Sequence, residues 1–235
     1  MSMSKRHYEQ VGVAMTCRSF AEYERMFALE PSILQEGRIL DVASGASSFV
    51  AEANARGYSA QAADPLYSMD AASIQEHGER EIEVSTQKLN GIKEVYDWSY
   101  YGDLERHRGL REQSIQRFVE DFKRSEGTDI YRAARLPELP FESDTFSLVL
   151  CSHFLFLYQE QFDEEFHLRA IRELLRVCRK GGRVLIYPLF SLRWDRYPNL
   201  DSLLTALESD GVMAEMGTSE LVFIPGSKEF LSLKK

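Results

Sequence analysis

The stretch Ile39-Leu40-Asp41-Val42-Ala43-Ser44-Gly45-Ala46-Ser47-Ser48-Phe49 holds the residues best suited to meet a charged ligand. An apolar run ends in small residues and an alanine-rich helix begins, so backbone N–H groups can approach a ligand closely at an open helix start. A loop of this kind, through Ala43, Ser44 and Gly45, suits a carboxylate or phosphate. Asp64 follows Gly45 by 19 residues, at the tip of the next extended run. A carboxylate there can accept both hydroxyls of a ribose, or it can serve as a turn residue before Pro65. The pair points to an adenosine-containing cofactor at the C-terminal edge of a sheet. Asp41 either caps the neighbouring helix and orients its backbone or faces that cofactor. His153, which ends the apolar run Phe146–Ser152, reads either as a core histidine or as a group that reaches donor or acceptor. A dinucleotide fingerprint needs G-x-G-x-x-G, whereas Ala43-x-Gly45-x-x-Ser48 offers one glycine, so NAD is disfavoured.

The elements that must position these groups alternate. Arg38–Val42 reads as a strand, Phe49–Arg56 as a helix closed by Gly57, and Tyr58–Ala63 as a second strand ended by Asp64-Pro65, a right-handed βαβ unit. Residues 66–127 are charged and helical in pattern, too long for one crossover. Residues 78–126 are therefore expected to form a helical cap inserted within a single domain, 1–235. Tyr96, Trp98, Tyr100 and Tyr101 within it either pack the cap or cage a substrate. Thr128–Ala133 and the continuous apolar run Phe146–Ser152 are the next strands. A helix over Phe162–Cys178, ended by Arg179-Lys180-Gly181-Gly182, leads to a fifth strand at Arg183–Tyr187. A last helix, Leu200–Ser209, precedes two strands, Val212–Ile224 and Phe230–Leu233. Val11, Val13, Met15, Phe20, Tyr23, Met26, Phe27 and Leu29 predict a helix within residues 5–29 that Pro31 breaks.

A chain of 235 residues with 44% hydrophobic and 28% charged residues supports one soluble globular domain. Its net charge of −9 argues against duplex nucleic acid, whose binding depends on neutralising phosphates. No run approaches the ~20 apolar residues of a membrane span, and the N-terminus lacks the apolar core of a signal peptide, so a cytoplasmic protein is expected. Cys17, Cys151 and Cys178 show no zinc spacing and are expected to be reduced and structural; no metal cluster is visible.

At this point the sequence resembles the class I S-adenosylmethionine (SAM)-dependent methyltransferases of the small-molecule type, over residues 37–66 and about 128–235. Leu40-Asp41-Val42-Ala43-Ser44-Gly45-Ala46 sits where that family has a hydrophobic-Asp-hydrophobic-Gly-x-Gly-x-Gly loop, and Asp64 falls on its ribose-binding position. Leu139-Pro140-Phe141 to Phe146-Ser147-Leu148-Val149, Cys151-Ser152-His153-Phe154-Leu155 and Leu174 to Gly182 follow in the family's order. The departures are Ala43 and Ser47 in place of glycines, Ser147 where Asp is usual, and no acidic residue around Ala133-Ala134-Arg135. The small side chains keep the loop's path if φ there is negative.

The resemblance implies a Rossmann-like α/β fold: a mostly parallel seven-stranded sheet, a C-terminal antiparallel hairpin, and the helical insertion between strands two and three. It implies SAM as cofactor, met by Asp41, Ala43, Ser44, Gly45, Asp64, Pro65, Ala134, Arg135 and Ser152, with Tyr23 and Phe27 as candidates to cover it. A methyl group would pass to a small-molecule acceptor, with His153 as first candidate base and Tyr158 as second. Two rivals stay open: a non-catalytic methyltransferase-like module, because of the degenerate loop, and a nicotinamide-dependent oxidoreductase, for which the βαβ unit and Asp64 speak.

Overall fold

The computed structural model describes Tyr8, Gln10 and residues 12–235. Seven strands form one sheet in the order β3-β2-β1-β4-β5-β7-β6. β1 (Arg38–Val42), β2 (Ser59–Ala63), β3 (Tyr131–Arg132), β4 (Phe146–Ser152) and β5 (Cys178–Tyr187) run parallel. β7 (Glu229–Lys234) pairs antiparallel with both β5 and β6 (Met213–Thr218). This is the Rossmann-like sheet with its antiparallel hairpin. The chain turns back between β1 and β4, where a crevice opens beyond the carboxyl ends of the strands.

Every residue of β4 is buried, because helices cover both faces of the sheet. Ile39, Leu148 and Leu150 pack with Phe20 and Phe49, from α1 (Phe20–Met26) and α3 (Phe49–Ala55). Leu40, Val42, Val149 and Cys151 pack on the other face with Ile171 and Leu203, from α6 (Glu164–Val177) and α7 (Leu200–Ser209). At roughly 1.5–3 kcal/mol per fully buried large side chain, these two layers hold the strand ends rigidly enough to carry a site.

The insertion between β2 and β3 consists of α4 (Ala71–Asn90) and α5 (Leu104–Arg124), capped by Asp70 and Asp103, whose carboxylates accept from the Ser73 and Arg106 amides. It is tied to the sheet-bound layer. Ser114 on α5 donates to Ser48 Oγ (3.1 Å), Arg117 pairs with Glu52, and Phe118 stacks on Tyr67. Gly78 permits the close contact of α4 with α5: a Cβ there would lie 2.1 Å from Ile115 Cδ1 and 2.5 Å from Met15 Cε.

Several elements differ from the sequence expectation. Of the helix expected within 5–29, Val11 and most earlier positions lie outside the described residues; in the rest, only Phe20–Met26 is helical. Residues 13–18 adopt no regular structure, and the Thr16 and Arg18 carbonyls accept from amides of the loop after β1 instead of from a helical turn. Pro31 does not simply end a helix; it starts α2 (Pro31–Leu34), where its missing N–H costs nothing. β3 is only two residues long. Arg179–Gly182 belong to β5, whose register on β4 shifts there, and α6 stops at Val177. β6 ends at Thr218, so Leu221 and Phe223 lie in a loop that turns toward the insertion.

Candidate functional site

The loop after β1 is pinned from two sides. Asp64, at the end of β2, accepts from the Gly45 amide at 2.9 Å and from the Leu66 amide at 2.9 Å. Tyr67 donates to the Gly45 carbonyl (2.9 Å). From the other side, the segment 14–18 crosses the loop: the Ala46 amide donates to Thr16 O (3.0 Å) and the Ser48 amide to Arg18 O (3.0 Å). The amides expected to meet an anion are therefore partly engaged by the chain itself. Gly45 has φ +59°, and a Cβ there would lie 2.7 Å from Thr16 O, which is why this position needs glycine. Ala43 has φ +55°, not the negative value expected from its side chain; the pinned loop imposes a left-handed conformation that costs about 1–2 kcal/mol. Ser47 uses its hydroxyl as an anchor, donating to Arg18 O at 2.7 Å.

A cavity of 360 Å³ opens over this loop, lined by Ala43, Gly45, Asp64, Pro65, Ala134 and Arg135, with Leu66, Leu136 and Phe154 as apolar wall. Asp41, Ser44 and Ser152 stand behind it. Ser44 and Tyr23 donate to Asp41 Oδ2 (2.6 and 2.9 Å), and Ser152 donates to the Tyr23 hydroxyl (3.1 Å). Tyr23 is buried against Asp41 and Phe27 is buried against Tyr187 and Phe230, so neither lines the cavity. Burial pushes the Asp41 carboxyl up to about 7, against the hydrogen bonds from Ser44 and Tyr23, and its Oδ1 has no partner. Burial also raises the Asp64 carboxyl, opposed by the two amides it accepts from.

A second cavity, of 120 Å³, lies under the insertion, lined by Tyr96, His107, Arg111, Tyr158, Leu192 and Phe223 among others. The two share Ala14, Met15, Thr16 and His153 as a common wall. His153 has φ +53°, and its amide donates to Tyr187 O at 2.6 Å. Its Nδ1 has no partner, and burial, reinforced by the charges of Arg18 and Arg111, holds the imidazole far below the usual histidine range. Tyr158 accepts from the Ala14 amide (2.9 Å), and burial pushes its phenol up to about 12.

Of the aromatic cluster, Tyr96 lines this cavity, stacked on Phe223 at 4.6 Å. Trp98 packs on Phe223 and His107 outside the lining, Tyr100 lies over Arg25, and Tyr101 is fully buried in a charged cluster. That cluster had no counterpart in the sequence reading. Glu22 is completely buried between Arg18 (3.2 Å) and Arg111, and Tyr101 donates to it at 2.6 Å. Burial opposes ionisation of Glu22, but the charges of Arg111 and Arg18 outweigh it and hold the carboxyl at about 2. The i, i+4 spacing of Arg18 and Glu22 was visible; the arrival of Arg111 from α5 was not. Thr16 and Phe223 carried no signal either, since each matters only through the distant segment it meets. Cys17, Cys151 and Cys178 are buried free thiols. Among the described residues no group of three or more His, Cys, Asp or Glu could hold a metal ion, and no helix is long and apolar enough to cross a membrane.

Comparison with known proteins agrees with this architecture. A family model described as "Methyltransferase domain" matches residues 110–186. An uncharacterized protein of Methanocaldococcus jannaschii, MJ0045, is 31% identical over 219 residues, which cover 93% of this chain and 94% of that protein. An O-methyltransferase family protein from Burkholderia thailandensis shares the fold at a TM-score of 0.50 and 10% identity, over 88% of this chain and 53% of its own. A SAM-dependent methyltransferase from Methanosarcina mazei superposes with a TM-score of 0.45 at 15% identity, over 87% of this chain and 95% of its own. The chain belongs to the class I SAM-dependent methyltransferases. The cofactor that goes with this membership is SAM.

Proposed function

We propose that the loop-side cavity binds SAM and that the protein transfers its methyl group to a small molecule held in the insertion-side cavity. The observation that carries this reading is the meeting of the two cavities at one wall, Met15, Thr16 and His153, beyond the carboxyl ends of β1 and β4. When bound, SAM supplies an electrophilic methyl group on a sulfonium, open to in-line attack by an acceptor. The residues present fit such a donor. Asp64 has one amide on each carboxylate oxygen and keeps a second lone pair on each for a ribose hydroxyl. Ala43 and Gly45 present bare backbone to the donor, and Pro65, Ala134 and Arg135 complete the wall around it.

The chain's part in the reaction is alignment and exclusion of water. His153 stays neutral at pH 7 and can accept a hydrogen bond from the nucleophile with one ring nitrogen. Its low basicity makes it an orienting partner, able to take a proton only as the nucleophile loses one. Tyr158 keeps its proton and bounds the acceptor. The insertion closes the acceptor side with Ile82, Leu89 and Tyr96 and selects by shape.

S-adenosylhomocysteine should stabilise the protein while NAD does not; at ~100 times the dissociation constant the gain is about 2.7 kcal/mol, an easily read melting shift. Asp64→Ala should weaken that binding by roughly 1–3 kcal/mol in a titration of folded variant. One observation favours a second reading, a non-catalytic module: the Ala46 and Ser48 amides are already bonded to Thr16 and Arg18. No shift at millimolar S-adenosylhomocysteine would decide for it.

A further inference from the structure

We propose that the insertion-side cavity selects an acceptor that is small, mainly apolar and singly anionic, its carboxylate-like group held by Arg18 and Arg111. This deepens the reading above and rests on it for the word acceptor. The charge balance at the cavity carries the argument. Arg18 and Arg111 line it at 8% and 7% exposure, and the one carboxylate they share is Glu22, which is wholly buried. Tyr101 keeps its proton, because burial and the Glu22 charge raise its phenol, and His107 is held neutral by burial and by the two arginines. Among the described residues, one positive charge therefore has no side-chain counterion paired with it. Maintaining it out of water is costly unless something completes the pairing.

The donor left for that partner is Arg18 Nη2, which makes no hydrogen bond among the described residues. Arg18 Nε and Arg111 Nε are also unpaired but fully enclosed, so they add to the cost of the buried charge without reaching a ligand. The rest of the wall is of another character: Met15, Leu157, Leu192, Phe223 and Ile224 are apolar, and among the described residues no aspartate or glutamate lines the cavity. Glu81, half-exposed on α4, is near enough to raise Tyr158 but does not line it. A ligand with one anionic end and an apolar body matches both parts, and a guanidinium pair suits a carboxylate by its planar donor geometry. The carboxylate of the methyl donor is the other possible source of this chemistry. It is disfavoured because neither arginine lines the loop-side cavity, and Met15 and Thr16 stand between.

The test is a calorimetric titration of the full chain with benzoate, benzamide and benzylamine, with and without saturating S-adenosylhomocysteine. Benzoate is expected to bind at least tenfold more tightly than benzamide, benzylamine not at all, and S-adenosylhomocysteine to leave benzoate affinity unchanged. Arg18→Met keeps the Arg111–Glu22 pair; it should reduce benzoate to the affinity of benzamide while S-adenosylhomocysteine binds within twofold of the parent. Equal affinity for benzoate and benzamide, or no benzoate binding at millimolar concentration, overturns the proposal. So does mutual exclusion of benzoate and S-adenosylhomocysteine, which would give the arginines to the donor's carboxylate. If Arg18→Met does not fold, the comparisons on the parent protein decide alone. Benzoate preference without any S-adenosylhomocysteine binding would uphold the anion site and remove the methyl-transfer reading; the reverse pattern would remove the anion site only.

Discussion

The two cavities share one wall but are built from different materials. The loop-side cavity is shaped by backbone at strand ends: Ala43, Gly45 and Asp64 come from two adjacent strands and the turns that follow them. The insertion-side cavity is shaped by side chains from segments far apart in sequence, among them Arg18, Arg111, His153 and Phe223. The first depends on backbone conformation and hydrogen bonds. The second depends on burial and on the balance of charge around Glu22. A site of the first kind tolerates changes of side chain, as Ala43 and Ser47 illustrate, whereas the second changes character with one residue.

Glu22→Gln should break the second cavity and have the largest effect. It leaves two buried guanidiniums without a carboxylate, and a loss of about 3–5 kcal/mol in chemical denaturation is expected. A loss below ~1 kcal/mol would show that the cluster is solvated in solution.

Asp41→Asn sharpens the contrast from the loop side through its pH dependence. The folded carboxyl, at about 7, lies above its unfolded value near 3.8. Its contribution to stability is therefore fully present below the unfolded value and is lost as pH rises through about 7. The asparagine variant should gain on the parent by about 2–4 kcal/mol between pH 4 and pH 8. His107 and His153, both lowered, act in the opposite sense and lose stability as pH falls below ~6.5, but they cancel in the comparison of variant with parent. A flat difference would put Asp41 back in the ordinary range.

Gly45→Ala should cost roughly 1–3 kcal/mol through its left-handed φ and the contact with Thr16. Hydrogen exchange would read it locally, as faster exchange of the Ala46 and Ser48 amides. The smallest effect belongs to Ala43→Gly. Relief of about 1–2 kcal/mol of strain is offset by roughly 0.5–1 kcal/mol of added chain entropy, so a gain of no more than ~1.5 kcal/mol is expected in the melting curve. A loss there would mean that the alanine methyl packs usefully in the folded loop.

Local pattern was enough for β1, α3, β2 and β4, and for α7 over Leu200–Ser209, because apolar runs and helix stops act over a few residues. The same stretch of chain placed Ala43, Gly45 and Asp64 together, since a strand, a tight loop and the neighbouring parallel strand leave little freedom in where their tips lie. Residues 13–18 defeated the helical pattern because the Thr16 and Arg18 carbonyls find partners on the loop instead of in their own turn. Phe223 left its expected strand because a loop could bury its ring among Tyr96, Trp98, Tyr101 and His107. The pairing of Arg111 with Glu22, 89 residues away, and the single wall shared by the two cavities exist only once the insertion has docked. Burial and electrostatics act through space, and no local pattern in the chain encodes which distant charges will be enclosed together.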